Sequence, residues 1–94
     1  MSTMKPTGEN KVMSVEVLLT ETRDETEAKA VVEIAGEHVG GWGRARRNPS
    51  DPAVPLIGEE LAAARALIDL AHQLLDRAAG QIEAFEHRPV RVHE

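Results

Sequence analysis

The stretch "GGWGRARR", residues 40–47, holds the side chains with the clearest capacity for chemistry. Trp42, Arg44 and Arg46 alternate, so on an extended strand they share one face. An indole beside guanidinium groups can stack bases and hold phosphates. Trp and Arg are also frequent anchors of protein–protein contacts. Arg47 extends the basic run. We take Trp42, Arg44, Arg46 and Arg47 as the candidate contact set for RNA or a protein partner. In the blander reading, Trp42 covers apolar neighbours and the arginines pair with Glu16, Glu33 or other nearby acids. The glycines are not a phosphate loop, because G-x-x-x-x-G-K-[ST] is missing and no helix follows directly.

A second constellation is Asp69, His72 and Asp76, at i, i+3 and i+7 on one helix face. Carboxylates beside a histidine can ligate a metal or polarise a proton acceptor. On a solvated helix the same spacing more commonly gives weak surface pairs. No G-x-S-x-G or H-E-x-x-H motif accompanies it, and His38, His72, His87 and His93 show no metal-ligand spacing. There is no cysteine, so thiolate sites, disulfides and cysteine nucleophiles are excluded. The expectation is a protein that is not an enzyme, with no metal, no cofactor and no indicated small-molecule substrate.

Strands and one helix must position these residues. "KVMSVEVLLT" reads as a strand with Met13, Val15, Val17 and Leu19 on one face. "EAKAVVEIA" is a second strand, with Ala28, Ala30, Val32 and Ile34 facing inward. A tight turn at Gly36 leads into "HVGGWGRARR" as the third, whose glycines mark a bulge or a close packing contact. The connection "NPSDPAVPL" reads as non-helical because Pro49, Pro52 and Pro55 each remove an N–H and restrict the residue before. The helix is then expected to start at Gly58 as N-cap, with Glu59 and Glu60 in its first turn. Gly80 is expected to end it, and "QIEAFEH" to add one or two further helical turns before an extended "RPVRV".

On a helical wheel, Leu61, Ala64, Leu67, Ile68, Ala71, Leu74 and Leu75 belong to an apolar arc spanning about half the circumference, wider than the ~100° that one surface needs. Arg65, Asp69, His72, Gln73, Asp76 and Arg77 fill the other half. A small sheet covers part of that arc. The rest calls for the C-terminal turns, through Ile82 and Phe85, or for a second copy. We expect the second copy, because an exposed apolar half-helix is an aggregation liability and twofold pairing is the commonest assembly. A chain of 94 residues is one domain, with only Trp42 and Phe85 aromatic, and its thin core favours burial against a partner. The polar residues 1–10 are expected to be a disordered arm and 11–94 a single domain. A net charge of −5 opposes global attraction to nucleic acid or anionic membranes. No signal-peptide core or membrane-spanning run is seen, so a cytoplasmic location without membrane contact is expected.

"NPSDPAVPLIGEELAAARALIDLAHQLLD" followed by "IEAFEHRPV" resembles a family of small actinobacterial proteins of unknown function with a double-stranded-RNA-binding-domain (dsRBD) fold. The likeness rests on Asn48, Pro49 and Asp51, then Val54, Pro55, Ile57, Gly58, Glu59, Glu60 and Leu61. It continues through Ala64–Leu67, Asp69 and Leu70, and then through Ile82–Ala84, His87, Pro89 and Val90. It covers about residues 12–92. The resemblance implies a dsRBD-like α+β fold, a three-stranded antiparallel sheet with helical packing on one face. It also implies a dimer, with exchange of elements between copies as one form. Some relatives are associated with stress or dormancy, and their dimer is likened in shape to ribosome hibernation factors. Glu59 and Glu60 at the expected helix start would repel phosphate, so RNA or ribosome contact would fall to Trp42 and the arginines instead.

Overall fold

Three alternating segments and one Ala/Leu-rich segment become three strands and a helix. The computed structural model describes residues 8–48 and 54–86. Within them, β1 (Val15–Glu21), β2 (Glu25–Ile34) and β3 (Glu37–Arg46) form an antiparallel sheet in the order β1-β2-β3, and α1 (Pro55–Glu86) packs on it. Residues 8–14 are exposed and precede the sheet, so Val12 and Met13, read as strand from their pattern, lie outside it. Residues 1–7 of the expected arm, residues 49–53 of the connection, and residues 87–94 with His87, His93 and "RPVRV" lie outside the described residues.

The β2–β3 turn uses two residues. Ala35 has φ 51° and Gly36 φ 81°, both in the left-handed region, while Ile34 and Glu37 pair across it. This is the geometry whose twist suits a two-residue hairpin. The β1–β2 turn is held by Thr22, whose N–H and hydroxyl both donate to the Glu25 carbonyl, at 2.8 and 3.1 Å.

The core consists of small residues. Ala28, Ala30 and Val32 of β2, Ala45 of β3, and Ala62, Ala66 and Leu70 of α1 are buried together. Gly41 and Gly43 lie directly beneath the helix backbone. A methyl group on Gly41 would collide with Leu70 N and Ala66 O, and one on Gly43 with Ala66 N and Ala62 O. The glycines therefore mark a close packing contact, not a bulge. Four helical residues rise about 6 Å and two strand residues about 6.7 Å. Ala62 and Ala66 thus step along α1 in register with Gly43 and Gly41 along β3, and the helix runs antiparallel to that strand.

The helix departs from expectation in three ways. It begins at Pro55 and not after Gly58, because a proline at the first helical position loses only an N–H that has no helical partner there. Glu59 and Glu60 consequently fall beyond the first turn. Gly58 serves close approach instead of capping: a Cβ there would lie 2.8 Å from Thr26 Oγ1. Gly80 does not end the helix, which runs on unbroken to Glu86 and absorbs the short C-terminal helical segment. An interior glycine costs about 1 kcal/mol, and good helix formers on both sides offset it. Finally, the core face is Ala62, Ala66 and Leu70, with Leu74 packed against it. Leu61, Ala64, Leu67, Ile68 and Ala71 are exposed on the single chain, and Leu75 is half-buried.

Candidate interaction surface

Alternation along the strands separates two faces. Thr26, Ala28, Ala30 and Val32 of β2 point toward α1, while Trp42, Arg44 and Arg46 of β3 project from the opposite face, which no element among the described residues covers. The strand register places Leu18, Lys29 and Trp42 in one row across that outer face, with Thr20, Glu27 and Arg44 in the next. Trp42 is 49 % exposed, and Leu18 is also exposed. The Arg44 guanidinium lies 5.6 Å from the Trp42 ring centroid, within cation–π range.

Arg44 and Arg46 do not stand free. Their Nε atoms lie 3.8 and 3.6 Å from the same Glu25 carboxylate oxygen, so Glu25, and not Glu16 or Glu33, is the acid they share. Glu33 approaches His38 at 3.9 Å. Along this face Glu16, Glu25, Glu27 and Glu33 alternate with Lys29, Arg44 and Arg46, and neither sign dominates. Arg47 belongs elsewhere. Its N–H donates to the Asp24 carbonyl at 2.9 Å, and its side chain lines a cavity at the start of α1.

Three of the side chains read as the solvated half of the helix, Arg65, Asp69 and Arg77, fasten it to β3. Trp42 N–H donates to Asp69 Oδ2 at 2.8 Å, and Arg65 Nη1 donates to the Arg44 carbonyl at 2.8 Å. Arg77 Nη1 donates to Glu37 Oε2 at 2.7 Å. Asp69 is thus a positioning residue for the strand that carries Trp42. The Asp69 and Arg65 bonds occupy backbone groups on the free edge of β3, where an open ladder would invite another strand. The helix packs mainly on β3, then β2, and scarcely on β1. At the start of α1, loss of solvation, then the neighbouring Glu59 charge and a hydrogen bond to it, push the Glu21 carboxyl above its ordinary pKa.

A protein-family model described as Rv2632c-like matches residues 11–91. The chain belongs to the Rv2632c-like family. Uncharacterized protein Rv2632c of Mycobacterium tuberculosis strain H37Rv is 46 % identical over 80 residues, 85 % of this chain and 86 % of that protein. Uncharacterized protein Mb1767 of Mycobacterium bovis is 40 % identical over 79 residues, 84 % of each chain. The crystal structure of Rv2632c has a TM-score of 0.80 and 43 % identity, covering 89 % of this chain and all of that one. The sheet followed by a long helix is therefore a fold that this actinobacterial family shares with a solved member.

The fold brings Trp42, Arg44 and Arg46 together on one strand face, while Arg47 follows the strand and, with Arg46, lines the cavity at the start of α1. It also recruits residues that the sequence reading left out. Glu25 is the arginines' partner, and Asp69 and Arg65 hold the strand in place. The available signal for the last two was their i, i+4 spacing, which matches the two-residue step from Arg44 to Trp42.

Proposed function

We propose that this chain is a non-enzymatic interaction protein that pairs with a second copy through its helix-bearing side and meets a protein partner through the outer face of its sheet. The observation that carries this reading is the outer face itself: a half-exposed Trp42 under Arg44, in one row with Lys29 and Leu18, among charges of both signs. An indole ringed by paired charges suits a protein anchor, whose centre is desolvated and whose rim is polar. Phosphate binding favours an excess of positive charge, and Glu25 and Glu27 offset Arg44 and Arg46. The test is capture of partners from nuclease-treated lysate by the wild type and by Trp42→Ala. A protein retained by the wild type and lost with Trp42→Ala supports the reading.

Ribosome or RNA contact in a stress or dormancy setting, with the dsRBD-like dimer of the resemblance, is the second reading. It is supported by the Arg44–Trp42 stack, a geometry that also serves base stacking. Ribosome co-sedimentation at low salt, abolished by converting Arg44, Arg46 and Arg47 together to Ala, would favour it over the first.

A further inference from the structure

A cavity of about 430 Å³ opens between the first turns of α1 and the end of the sheet carrying the β1–β2 turn. One wall is apolar, formed by Ala45, Val54, Ile57 and Leu61. Thr26 also lines it, only 6 % exposed, and its hydroxyl has no hydrogen-bond partner among the described residues. Its Oγ1 faces Gly58, itself a lining residue in the first turns of the helix. The hydroxyl opens onto the cavity, where the head group of a ligand would meet it as donor or acceptor.

The charges at the mouth favour an anion. Arg23, Arg46 and Arg47 all line it, and Arg23 is in no ion pair among the described residues. Of the two acids there, Glu25 pairs with Arg44 and Arg46, and loss of solvation, then the Glu59 charge, raise the pKa of Glu21. The positive end of the helix macrodipole adds to the same sign.

We propose that this cavity binds a small amphipathic anion of the acyl-carboxylate class. The apolar chain lies along Ile57 and Leu61, and the head group takes the Thr26 hydroxyl and the positive mouth. No motif in the sequence points to a small molecule, and the inference rests on the cavity alone. Its size falls within the range of ordinary ligand pockets, apolar with a few convergent polar groups.

The test is a backbone-amide NMR titration of the full chain with octanoate, and with octylamine and n-octanol as matched probes. Octanoate is expected to shift Thr26, Ala45, Gly58 and Leu61 saturably, and octylamine to leave them in place. Thr26→Val keeps the shape and removes the hydroxyl, and it is expected to weaken octanoate about tenfold, as loss of a hydrogen bond to a charged group does. Arg23→Gln, on the exposed turn, is expected to weaken it about threefold at low salt, with the difference vanishing at high salt. No saturable shift with octanoate overturns the proposal. So do equal shifts with octylamine, or wild-type affinity in both variants.

Discussion

At the residue scale, stability is concentrated where backbone meets backbone. Gly43 lies against Ala62 and Ala66 with no room for a methyl group. Neither neighbour is a flexible side chain tip, so Gly43→Ala must lift the helix from the sheet. We expect a loss of about 3 kcal/mol, at the upper end for overpacking, read as a lowered midpoint in urea denaturation. Ala35 presents the opposite case. It holds φ 51° with a Cβ that disfavours that region. Ala35→Asn places a residue more tolerant of the left-handed conformation ahead of Gly36, and should raise stability by about 0.5–1 kcal/mol in the same measurement. Glu21 sets a pH dependence. Its folded pKa is raised by lost solvation and then by Glu59, so the native state binds that proton more tightly than the unfolded chain does. The resulting stabilisation is full below the ordinary glutamate range, about pH 4.3, and is lost as pH rises through the raised value. Glu21→Gln should flatten the melting temperature across that interval and raise it at neutral pH. An unchanged slope would exclude this pair as the cause.

At the element scale, Gly80 separates local from tertiary glycine use. It is exposed, helical and touches nothing within 4 Å of where a Cβ would stand. Gly80→Ala should therefore stabilise the chain by about 1 kcal/mol and raise helicity by circular dichroism. The strands were legible because alternation is a local signal. Ala28, Ala30 and Val32 point inward as their spacing requires. The helix was legible in kind but not in its ends or its buried side. Its N-terminus is set by Pro55, which can open a helix as readily as it interrupts one. Its core face is Gly58, Ala62, Ala66 and Leu70, residues too small for a hydrophobicity wheel to pick out beside Leu61, Leu67 and Ile68. Only the matching glycines of β3 explain the choice, and that is a relation between two elements distant in sequence. For the same reason Asp69 and Arg65 read as solvated, although both reach the backbone of β3. The Trp42, Arg44 and Arg46 face needed only strand parity, whereas their neutralisation by Glu25 needed the register between β2 and β3.

At the scale of the whole molecule, the helix covers only part of its sheet. Val15, Val17 and Leu19 on the α1 side of β1 are 42 %, 37 % and 44 % exposed. The outward part of α1 carries Leu61, Leu67 and Ile68 at 45 %, 43 % and 57 % exposed. Among the described residues, one chain thus offers an uncovered apolar half-sheet and an unpartnered apolar helix side. A second copy set face to face across a twofold axis covers both at once, each helix lying over the other's β1, and such a contact is self-complementary as a twofold requires. The competing arrangement pairs β1 with β1 edge to edge. Among the described residues that edge is open, and the β3 edge is partly occupied by Asp69 and Arg65. The two differ in which residues meet. Light scattering should give a dimeric mass for the wild type, and Ile68→Glu should reduce it to a monomer with a melting temperature that no longer depends on concentration. Because the chain has no cysteine, a pair of single variants can report the topology. An equimolar mixture of Val17→Cys and Ile68→Cys chains, oxidised after mixing, should give mainly the mixed disulfide dimer if the copies meet face to face. Edge pairing would instead link Val17→Cys chains to one another and leave Ile68→Cys free, and a wild type of monomeric mass would remove both arrangements.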